Sequence, residues 1–332
     1  MIETIPLSWL RCDVASPTFK SVRLPLSGLT WIHSAEIPFK LSFEEIYAEL
    51  VERFGEGILI RGCRSEIAGF LMGRGFAGLR TGAEALIDLG SGTRAHSSAK
   101  RISGRAGRRG GVEEVPFTEA SAERFSRLKS ASAHGTKPQL RYLYRTALDP
   151  LMRCFVYRTP GDKWLGAVTV SMSSESGAHT EMILRDKEAP PGVMETLFLE
   201  IMDTLKREGF KEFSLGEVPF ASPGIDSNTA PPHGRYIKER LLFGTGYLLK
   251  FAYNFESLFR FKNKFRPDWS HVYICAPRIP WTALADMFME SGFCALSGSV
   301  LISTIKGYSP RFMKHSRFNP DPSPNIEYDR NA

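Results

Sequence analysis

The sequence predicts an α/β (α+β) protein of two packed domains or one duplicated unit, in which mixed sheets are covered by helices. The chain has 332 residues, more than one hydrophobic core usually accommodates. Strand-like and helix-like segments alternate along it, as expected for mixed sheets covered by helices. We divide the chain into an N-terminal half (1–145), a C-terminal half (146–308) that carries the site, and a proline-rich flexible tail (309–332).

The first strong element of the N-terminal half is a helix over residues 42–54. Ser42 and Glu45 form the S-x-x-E pattern of a capping box, and the apolar residues that follow recur on one helical face. Gly55 then ends the helix. Three segments of alternating type come next: a strand at 57–61, a helix at 65–76 and a strand at 83–89.

A basic run occupies residues 91–111. It is rich in glycine and serine, contains no acidic residue, and carries six bases: Arg94, Lys100, Arg101, Arg105, Arg108 and Arg109. Such a run is either a mobile loop or a helix that becomes ordered on a polyanion, and the sequence leaves both alternatives open. A helix over residues 118–130 follows.

The C-terminal half begins with a strand hairpin and continues with a strand, a helix and a strand. The hairpin turn is Pro160-Gly161-Asp162, and the helix is opened by Pro191 and closed by Gly209. The strands lie at 152–158, 164–172, 179–185 and 212–215, and the last stops at Gly216. This order is that of the acetyltransferase-like fold, in which the acyl donor lies against the strand after the hairpin.

The rest of the C-terminal half alternates helices and strands after a polar, proline-rich loop. The predicted segments are helices at 236–243, 253–265 and 281–289 and strands at 272–275 and 300–305. The helix at 253–265 carries Phe255, Leu258, Phe261 and Phe265 at helical spacing. We interpret this stripe as core packing rather than as a surface for stacking bases.

Charge, cysteines and histidines exclude several classes of site. The five cysteines are far apart and no two histidines stand four residues apart, so we expect no disulfide framework and no metal. We also expect no bound cofactor, for the reason given below with the family resemblance. A net charge of +7 favours a polyanionic partner. The N-terminus lacks the pattern of a secretory signal and the apolar stretches are too short to cross a membrane. We therefore expect a cytoplasmic protein.

Four stretches resemble one bacterial family. They are residues 179–185, 189–195, 213–220 and 253–269. The last reads Y-N-F-E-S-L-F-R-F-K-N-K-F-R-P-D-W and resembles the Y-N-F-x-G-L-x-x-F-K-x-K-F-x-P-x-W signature of the C-terminal domain of the phosphatidylglycerol lysyltransferases, the multiple peptide resistance factors. Ser257 stands where the motif has glycine. The resemblance covers residues 40 to 290, more loosely in the N-terminal half.

The resemblance implies two acetyltransferase-like halves and transfer of an aminoacyl group. The donor would be aminoacyl-tRNA, and the acceptor a hydroxyl or amine such as that of a lipid headgroup. An aminoacyl ester is already activated, so the enzyme has to align the acceptor and stabilise the oxyanion, without a covalent enzyme intermediate. The expected partners are aminoacyl-tRNA and an anionic lipid or membrane surface, which would place the protein at the inner membrane.

Lys262 and Lys264 are the candidates for stabilising the oxyanion, with Arg260 as a substrate-binding residue and Arg266 flanking them. On a helix, residues 262 and 264 point in different directions, so we expect only one lysine to face the reaction centre. The alternative is that these cations merely form the solvated face of a helix.

Five further residues are candidates for the site. Glu181 and Arg185 are predicted to share one face of a strand and to bind the ammonium of the aminoacyl group and an anionic group of the acceptor, or else to form a salt bridge on the sheet. Glu217, at a strand end, is a candidate ammonium ligand or general base, or a surface carboxylate. Tyr253 and Asn254 are candidate substrate contacts, and Asn254 also fits a helix N-cap.

Two other functions remain open from sequence. One is an acyl-CoA-dependent N-acetyltransferase, since residues 101–107 superficially resemble the R-x-x-G-x-G/A pyrophosphate loop, although the strand and helix that should flank such a loop are missing. The other is a non-enzymatic protein that binds RNA or a membrane surface through its excess of basic residues.

Overall fold

The structure is a computed structural model. It describes residues 1–91, 95–132, 135, 138–221, 233–248 and 255–296. Within 233–248 the side chains of 237–244 are described. The predicted strand at 300–305 and the predicted tail at 309–332 lie outside the described residues.

The N-terminal half contributes six strands and four helices to the described part of the chain. The strands are β1 (Leu10–Cys12), β2 (Thr18–Arg23), β3 (Thr30–Pro38), β4 (Ile58–Cys63), β5 (Ala77–Asp88) and β6 (Gly111–Val115). The helices are α1 (Phe43–Phe54), α2 (Ser65–Gly73), α3 (Ser97–Ala106) and α4 (Glu119–Ala131).

The C-terminal half contributes five strands and four helices to the described residues. The strands are β7 (Arg153–Arg158), β8 (Trp164–Ser174), β9 (Gly177–Arg185), β10 (Glu212–Pro219) and β11 (Asp268–Ala276). The helices are α5 (Val193–Arg207), α6 (His233–Leu248), α7 (Phe255–Asn263) and α8 (Trp281–Glu290).

The best-predicted element is α1. Ser42 accepts a hydrogen bond from the backbone of Glu45, the Glu45 carboxylate accepts one from the backbone of Ser42, and Gly55 ends the helix with φ = 70°. Three outcomes differ from the sequence prediction. β1, β2 and β3 precede the first predicted element, β6 forms at the end of the basic run, and β10 continues past Gly216 to Pro219.

All eleven strands belong to one mixed sheet. Its order is β1-β3-β4-β11-β5-β10-β9-β8-β7-β6, with β2 paired to β3. The middle of this order is symmetrical. β4 is parallel to β3 and β10 is parallel to β9, while β11 and β5 lie between them and pair antiparallel to β4, to β10 and to each other.

The two halves therefore exchange one strand each: β5 of the first half pairs with the second half, and β11 of the second half pairs with the first. β5 follows β4 along the chain but pairs with β10, and β11 follows β10 but pairs with β4. β6 also comes from the N-terminal half of the chain but pairs with a strand of the C-terminal half, because it forms the edge of the sheet next to β7. The sheet is continuous across the boundary that we drew at residue 145, and the division into two domains stays a prediction.

Helices cover both faces of the sheet, as the alternating pattern predicts. α1 and α2 pack on one face of the first half, and α8 packs on the opposite face. In the second half the apolar face of α5 packs over Val168, Phe213 and Leu215, while α4 covers the other face through Phe125 and Leu128. The predicted α/β architecture with a mixed sheet between helices is confirmed.

Candidate active site

The candidate active site lies where β9 and β10 separate. These parallel strands pair only from Gly177 to His179 and from Glu212 to Ser214, although both strands continue beyond. At the same level β10 has an irregularity against β5 between Ser214 and Glu217, and Gly216 has φ = 85°. A left-handed residue of this kind suits glycine and turns the carbonyls of a strand away from the regular ladder. We call this opening the β9–β10 fork.

Lys262 reaches into the β9–β10 fork from α7. Its side chain is buried, with 2% of the residue exposed, and its amine donates to the carbonyl oxygens of Gly216 at 2.8 Å and Glu217 at 3.0 Å. Phe261 and Phe265 hold α7 in this orientation, because both rings pack on Phe198 of α5. The predicted role of the phenylalanine stripe in core packing is consistent with this arrangement.

Burial is the main influence on the ionisation of Lys262. Removal of the amine from water lowers its pKa to about 7, against the opposing attraction of the carboxylates of Glu217 and Glu84. At neutral pH the buried amine therefore exists in both the charged and the neutral form. Such a group can donate a hydrogen bond to a developing negative charge and can also exchange a proton in this pH range.

The main-chain carbonyl of Glu217 contacts Lys262, whereas its side chain contacts other residues. Its carboxylate forms an ion pair with Arg61 of β4 and accepts a hydrogen bond from the Thr81 hydroxyl of β5 at 3.2 Å. Only 7% of the Glu217 side chain is exposed. The exchanged strand β5 thus positions Glu217, and the predicted role of its carboxylate as ammonium ligand or base stays a prediction.

A second buried polar group lies beside the fork and was not predicted from sequence. His179 of β9 and the Ser214 hydroxyl of β10 are 3.1 Å apart, and Ser214 also accepts from the backbone N–H of Gly216. Burial lowers the pKa of His179 to about 4; the Glu84 carboxylate opposes this shift, whereas Arg64 and Lys262 add to it. His179 is therefore neutral at physiological pH.

The nearby carboxylate of Glu84 is fully buried and paired. Arg64 holds both of its oxygens, at 2.7 and 2.8 Å, and also reaches Glu212 at 2.7 Å. One sequence signal could have found this pair: a single acid inside the apolar strand segment at 83–87 must have a partner once it is buried. Which arginine serves it depends on how the strands pair.

The other predicted cations of α7 lie elsewhere. The Lys264 amine pairs with Glu195 of α5 at 2.7 Å, and Arg260, with 75% of its side chain exposed, pairs with Glu256 one turn earlier. Of the two lysines, Lys262 reaches the fork and Lys264 does not, and the expectation that only one of them faces the reaction centre stays a prediction. Arg266 is exposed after the end of α7.

Glu181 and Arg185 have separate environments, although both are on β9. The pairing of β9 with β8 shifts between Thr180 and Met182, so that Glu181 is buried and accepts a hydrogen bond from the Ser171 hydroxyl at 2.7 Å. Arg185 is exposed and donates to the carbonyl of Ala189 at 2.5 Å. Among the described residues, neither forms the salt bridge that was the structural alternative.

Burial also dominates the ionisation of Glu181. It raises the pKa of the carboxyl to about 7, a shift that the Ser171 hydroxyl and Arg145 oppose and Asp149 reinforces. Glu181 directly follows Thr180, whose carbonyl lies beside Gly216 in the fork. Tyr253 and Asn254, the remaining predicted site residues, lie outside the described residues.

The fork and its buried lysine can now be compared with known proteins. Residues 40–276 match the family described as "Phosphatidylglycerol lysyltransferase, C-terminal". The chain belongs to this family. All of the residues that build the fork, from Arg61 to Lys262, lie inside the matched region.

Two curated relatives of this lysyltransferase family member are far longer than the region they share with it. A phosphatidylglycerol lysyltransferase of Bacillus subtilis (strain 168) is 22% identical over 245 residues, which are 71% of this chain and 28% of the relative. A lysylphosphatidylglycerol biosynthesis bifunctional protein of Gordonia bronchialis is 27% identical over 146 residues, which are 42% of this chain and 12% of that protein. The chain thus spans about a quarter of the first and about an eighth of the second.

Two solved structures share the fold of this family member. The structure of L-PGS from Bacillus licheniformis matches with a TM-score of 0.61 at 16% identity, covering 83% of this chain and 85% of that one. The C-terminal domain of a putative lysylphosphatidylglycerol synthetase from Agrobacterium fabrum matches with a TM-score of 0.63 at 20% identity, covering 83% and 87%. Among the described residues, no helix combines the length and hydropathy needed to cross a bilayer.

Proposed function

We propose that this chain is an aminoacyltransferase that moves an aminoacyl group from aminoacyl-tRNA to a hydroxyl of a lipid headgroup. The acceptor oxygen forms a new ester bond to the aminoacyl carbon, and the bond from that carbon to the ribose oxygen of the tRNA breaks. The proton of the acceptor hydroxyl ends on the released ribose hydroxyl. Membership of the family supports this reaction, and the names of the relatives favour lysine and phosphatidylglycerol as its substrates.

The observation that carries the proposal is the buried amine of Lys262 in the β9–β10 fork. A charged lysine has three N–H donors, and the carbonyls of Gly216 and Glu217 receive two of them. The third can serve the oxyanion that forms when the acceptor attacks the ester. A donor fixed in a site with little water can lower the barrier by several kcal/mol, since removal of one such donor costs about 10²- to 10³-fold in rate.

Glu181 is the proposed ligand of the α-ammonium group of the aminoacyl donor. Its carboxyl is buried, and a cation placed against it would favour the ionised form and gain a charge-assisted hydrogen bond. Arg185, near the surface of the same strand, is the proposed contact for an anionic group of the acceptor. Arg260, Tyr253 and Asn254 remain predicted substrate contacts from the family signature, and Lys264 and Glu217 remain predicted catalytic residues.

The test is direct transfer with defined donors. Purified protein is incubated with vesicles of phosphatidylglycerol and, in separate reactions, tRNAs charged with each labelled amino acid. We expect label in the lipid phase with charged tRNA, lysyl-tRNA first. Free lysine with uncharged tRNA should give none, because the energy of transfer resides in the aminoacyl ester.

The same assay separates the competing functions. Acetyl-CoA replaces the charged tRNA in a parallel reaction, and phosphatidylethanolamine replaces phosphatidylglycerol in another. Transfer from acetyl-CoA alone would identify an acetyltransferase instead. If no labelled product appears with any charged tRNA and any acceptor, the aminoacyltransferase proposal is wrong. Activity requires access to lipid, so we propose that the protein acts at the inner face of the membrane.

A further inference from the structure

Residues 97–106 of the basic run form α3, a helix that is fixed to the C-terminal half, whereas Arg94 lies outside the described residues. The backbone N–H of His96, the N-cap of α3, donates to the carbonyl of Lys264 at 2.8 Å. At its other end the Tyr157 hydroxyl donates to the carbonyl of Ala106 at 2.7 Å. Of the two alternatives for this run, the structure has a helix over Ser97–Ala106.

One side of α3 packs closely on the start of α5. Ala99, Ile102 and Ala106 face inward, and a Cβ on Gly192 would lie only 2.5 Å from the carbonyl oxygen of Ile102. Gly192 also has φ = 100°, so both the positive φ and the close approach of Ile102 require glycine at this position. The apolar residues of α3 are thus engaged with the protein interior and cannot insert into a bilayer.

The exposed side of α3 and the turn after it carry five cations and no acidic residue. Lys100, Arg101, Arg105, Arg108 and Arg109 are all exposed. None of them forms an ion pair with another residue in the described part of the chain. Arg101 and Arg105 lie one turn apart on α3, and Arg108 follows in the turn after the helix, so the three form a stripe about 10 Å long. We call these five residues the α3 basic face.

Within the α3 basic face only Lys100 is unfavourably placed, because Arg105, Arg108 and Arg109 lie at the C-terminal end of the helix, where the helix dipole favours cations. The first turn contains no acidic residue, Lys100 lies at its end, and His96 makes no side-chain capping bond. Cations near a helix N-terminus interact unfavourably with the helix dipole, by about 0.3–1 kcal/mol each.

We propose that the α3 basic face binds the phosphate backbone of the donor tRNA. The inference rests on the proposed function, and it assigns a surface to the RNA. Three unpaired cations on a helix and two more in the turn that follows it match a row of phosphates, because RNA helices are bound mostly through backbone and shape. A membrane fits less well, since interfacial helices bury an apolar face that α3 has already used.

The position of α3 suits this role. The hydrogen bond from His96 to Lys264 joins the start of α3 to the end of α7, the helix that carries Lys262. Lys262 and the carbonyl of Lys264 are two residues apart in sequence. RNA bound along α3 would therefore lie next to the helix that supplies the amine of the fork, with the rest of the tRNA directed away from it.

The test removes the stripe without removing the helix. In the triple variant Arg101→Gln, Arg105→Gln, Arg108→Gln, glutamine keeps a good helix propensity. A matched control loses three exposed cations elsewhere through Arg127→Gln, Lys206→Gln and Arg207→Gln; for the two arginines 69% and 70% of the side chain is exposed. Both variants are measured for tRNA affinity between about 50 and 200 mM salt, where phosphate contacts are most evident.

We expect the triple variant to bind tRNA at least tenfold more weakly at about 100 mM salt. The slope of log affinity against log salt should fall by about 2 to 3, because each lost phosphate contact removes about 0.7 to 0.9. The control variant should change the slope by less than about 1. A second variant, Arg101→Lys, Arg105→Lys, Arg108→Lys, retains the charges and should restore most of the affinity.

Several outcomes would overturn the assignment of the surface. One is a folded triple variant with the wild-type affinity and slope. Another is normal tRNA binding together with lost binding to vesicles of equal parts phosphatidylglycerol and phosphatidylcholine, which would make α3 a membrane contact. If the wild type transfers an aminoacyl group and the triple variant does so equally well, only this inference fails. If the wild type neither binds tRNA nor transfers, the proposed function itself fails.

Discussion

The two halves of the molecule contain the same backbone fork but fill it differently. In the first half β3 and β4 pair in parallel from Thr30 to Ile32 and from Ile58 to Ile60, as β9 and β10 do in the second half. Counted from the first paired residue, Gly62 of β4 occupies the position of Gly216 of β10. Both glycines have positive φ, 81° and 85°, and both stand at an irregularity in the sheet.

The groups that enter the two forks are chemically unlike. The carbonyl of Gly62 accepts a hydrogen bond at 3.0 Å from the main-chain N–H of Leu7, which belongs to the segment before β1. The carbonyl of Gly216 accepts one at 2.8 Å from the amine of Lys262. The peptide group of Leu7 satisfies the backbone and can do no acid–base chemistry. Under the proposed function, the amine of Lys262 supplies in the second fork the acid–base chemistry that the peptide group of Leu7 cannot supply in the first.

The largest expected effect is the loss of activity in Lys262→Met. Removing a buried oxyanion donor should lower kcat by about 10²- to 10³-fold. The control is Lys163→Met, which removes an exposed ion pair with Glu188 and should cost much less. Activity is measured as labelled lipid formed from charged tRNA. Equal losses in the two variants would mean that the buried fork is not the reaction centre.

The Lys262→Met variant should lose activity but gain stability at neutral and acidic pH. Because the folded pKa of Lys262 is about 7 and an unfolded lysine has about 10.5, the unfolded chain binds more protons between these values. Wild-type stability should therefore rise from pH 7 towards pH 10, while the variant lacks this rise. We expect the Tm of the variant to exceed that of the wild type most at pH 6 and the difference to shrink by pH 9.

The next effect concerns the two glycines. Gly62→Ala would place a Cβ 2.9 Å from the main-chain nitrogen of Leu7, which cannot move easily, so the free energy of unfolding should fall by about 3 kcal/mol. Gly216→Ala meets no atom closer than the Lys262 amine at 3.5 Å and should cost only about 1–2 kcal/mol, from the positive φ. Urea unfolding of both variants gives these values.

The two glycine variants should differ in activity in the reverse order. Gly216→Ala contacts Lys262 and should reduce transfer, whereas Gly62→Ala should retain the specific activity of its folded fraction. A larger loss of stability in Gly216→Ala than in Gly62→Ala would show that the main chain of Leu7 is not held rigidly against Gly62 in the first fork.

Local patterns predicted the elements well but not their exchange. The capping box of α1, the β7–β8 hairpin and the apolar face of α5 depend on residues close in sequence, and all three were predicted. The insertion of β11 between β4 and β5 depends on pairing across about 200 residues, which periodicity does not encode. The continuation of β10 past Gly216 was also missed, because in sequence a glycine within an irregular strand resembles the end of a strand.

The site was only partly accessible from sequence. Spacing on α7 showed that Lys262 and Lys264 point in different directions, but the choice between them depends on how Phe261 and Phe265 dock on α5. The partners of Glu217 come from β4 and β5 of the other half, so no pattern near residue 217 could indicate Arg61 and Thr81. Charge alone placed the basic run among polyanion-binding segments without deciding between loop and helix.

The smallest expected effect is a change of about tenfold per pH unit in kcat/KM on each side of pH 7. The proposed roles require Glu181 ionised and Lys262 protonated, and burial places the pKa of both near 7. The rate should rise as Glu181 loses its proton and fall as Lys262 loses its own, which gives a bell-shaped profile. Lys262→Arg should remove only the alkaline limb, because arginine stays charged.

In the first half the corresponding positions are Leu7 and Ser34, which do not titrate in this range, so that half should contribute no limb. If kcat/KM keeps rising above pH 7 in the wild type, the neutral amine of Lys262 acts as a base rather than its cation as an oxyanion donor.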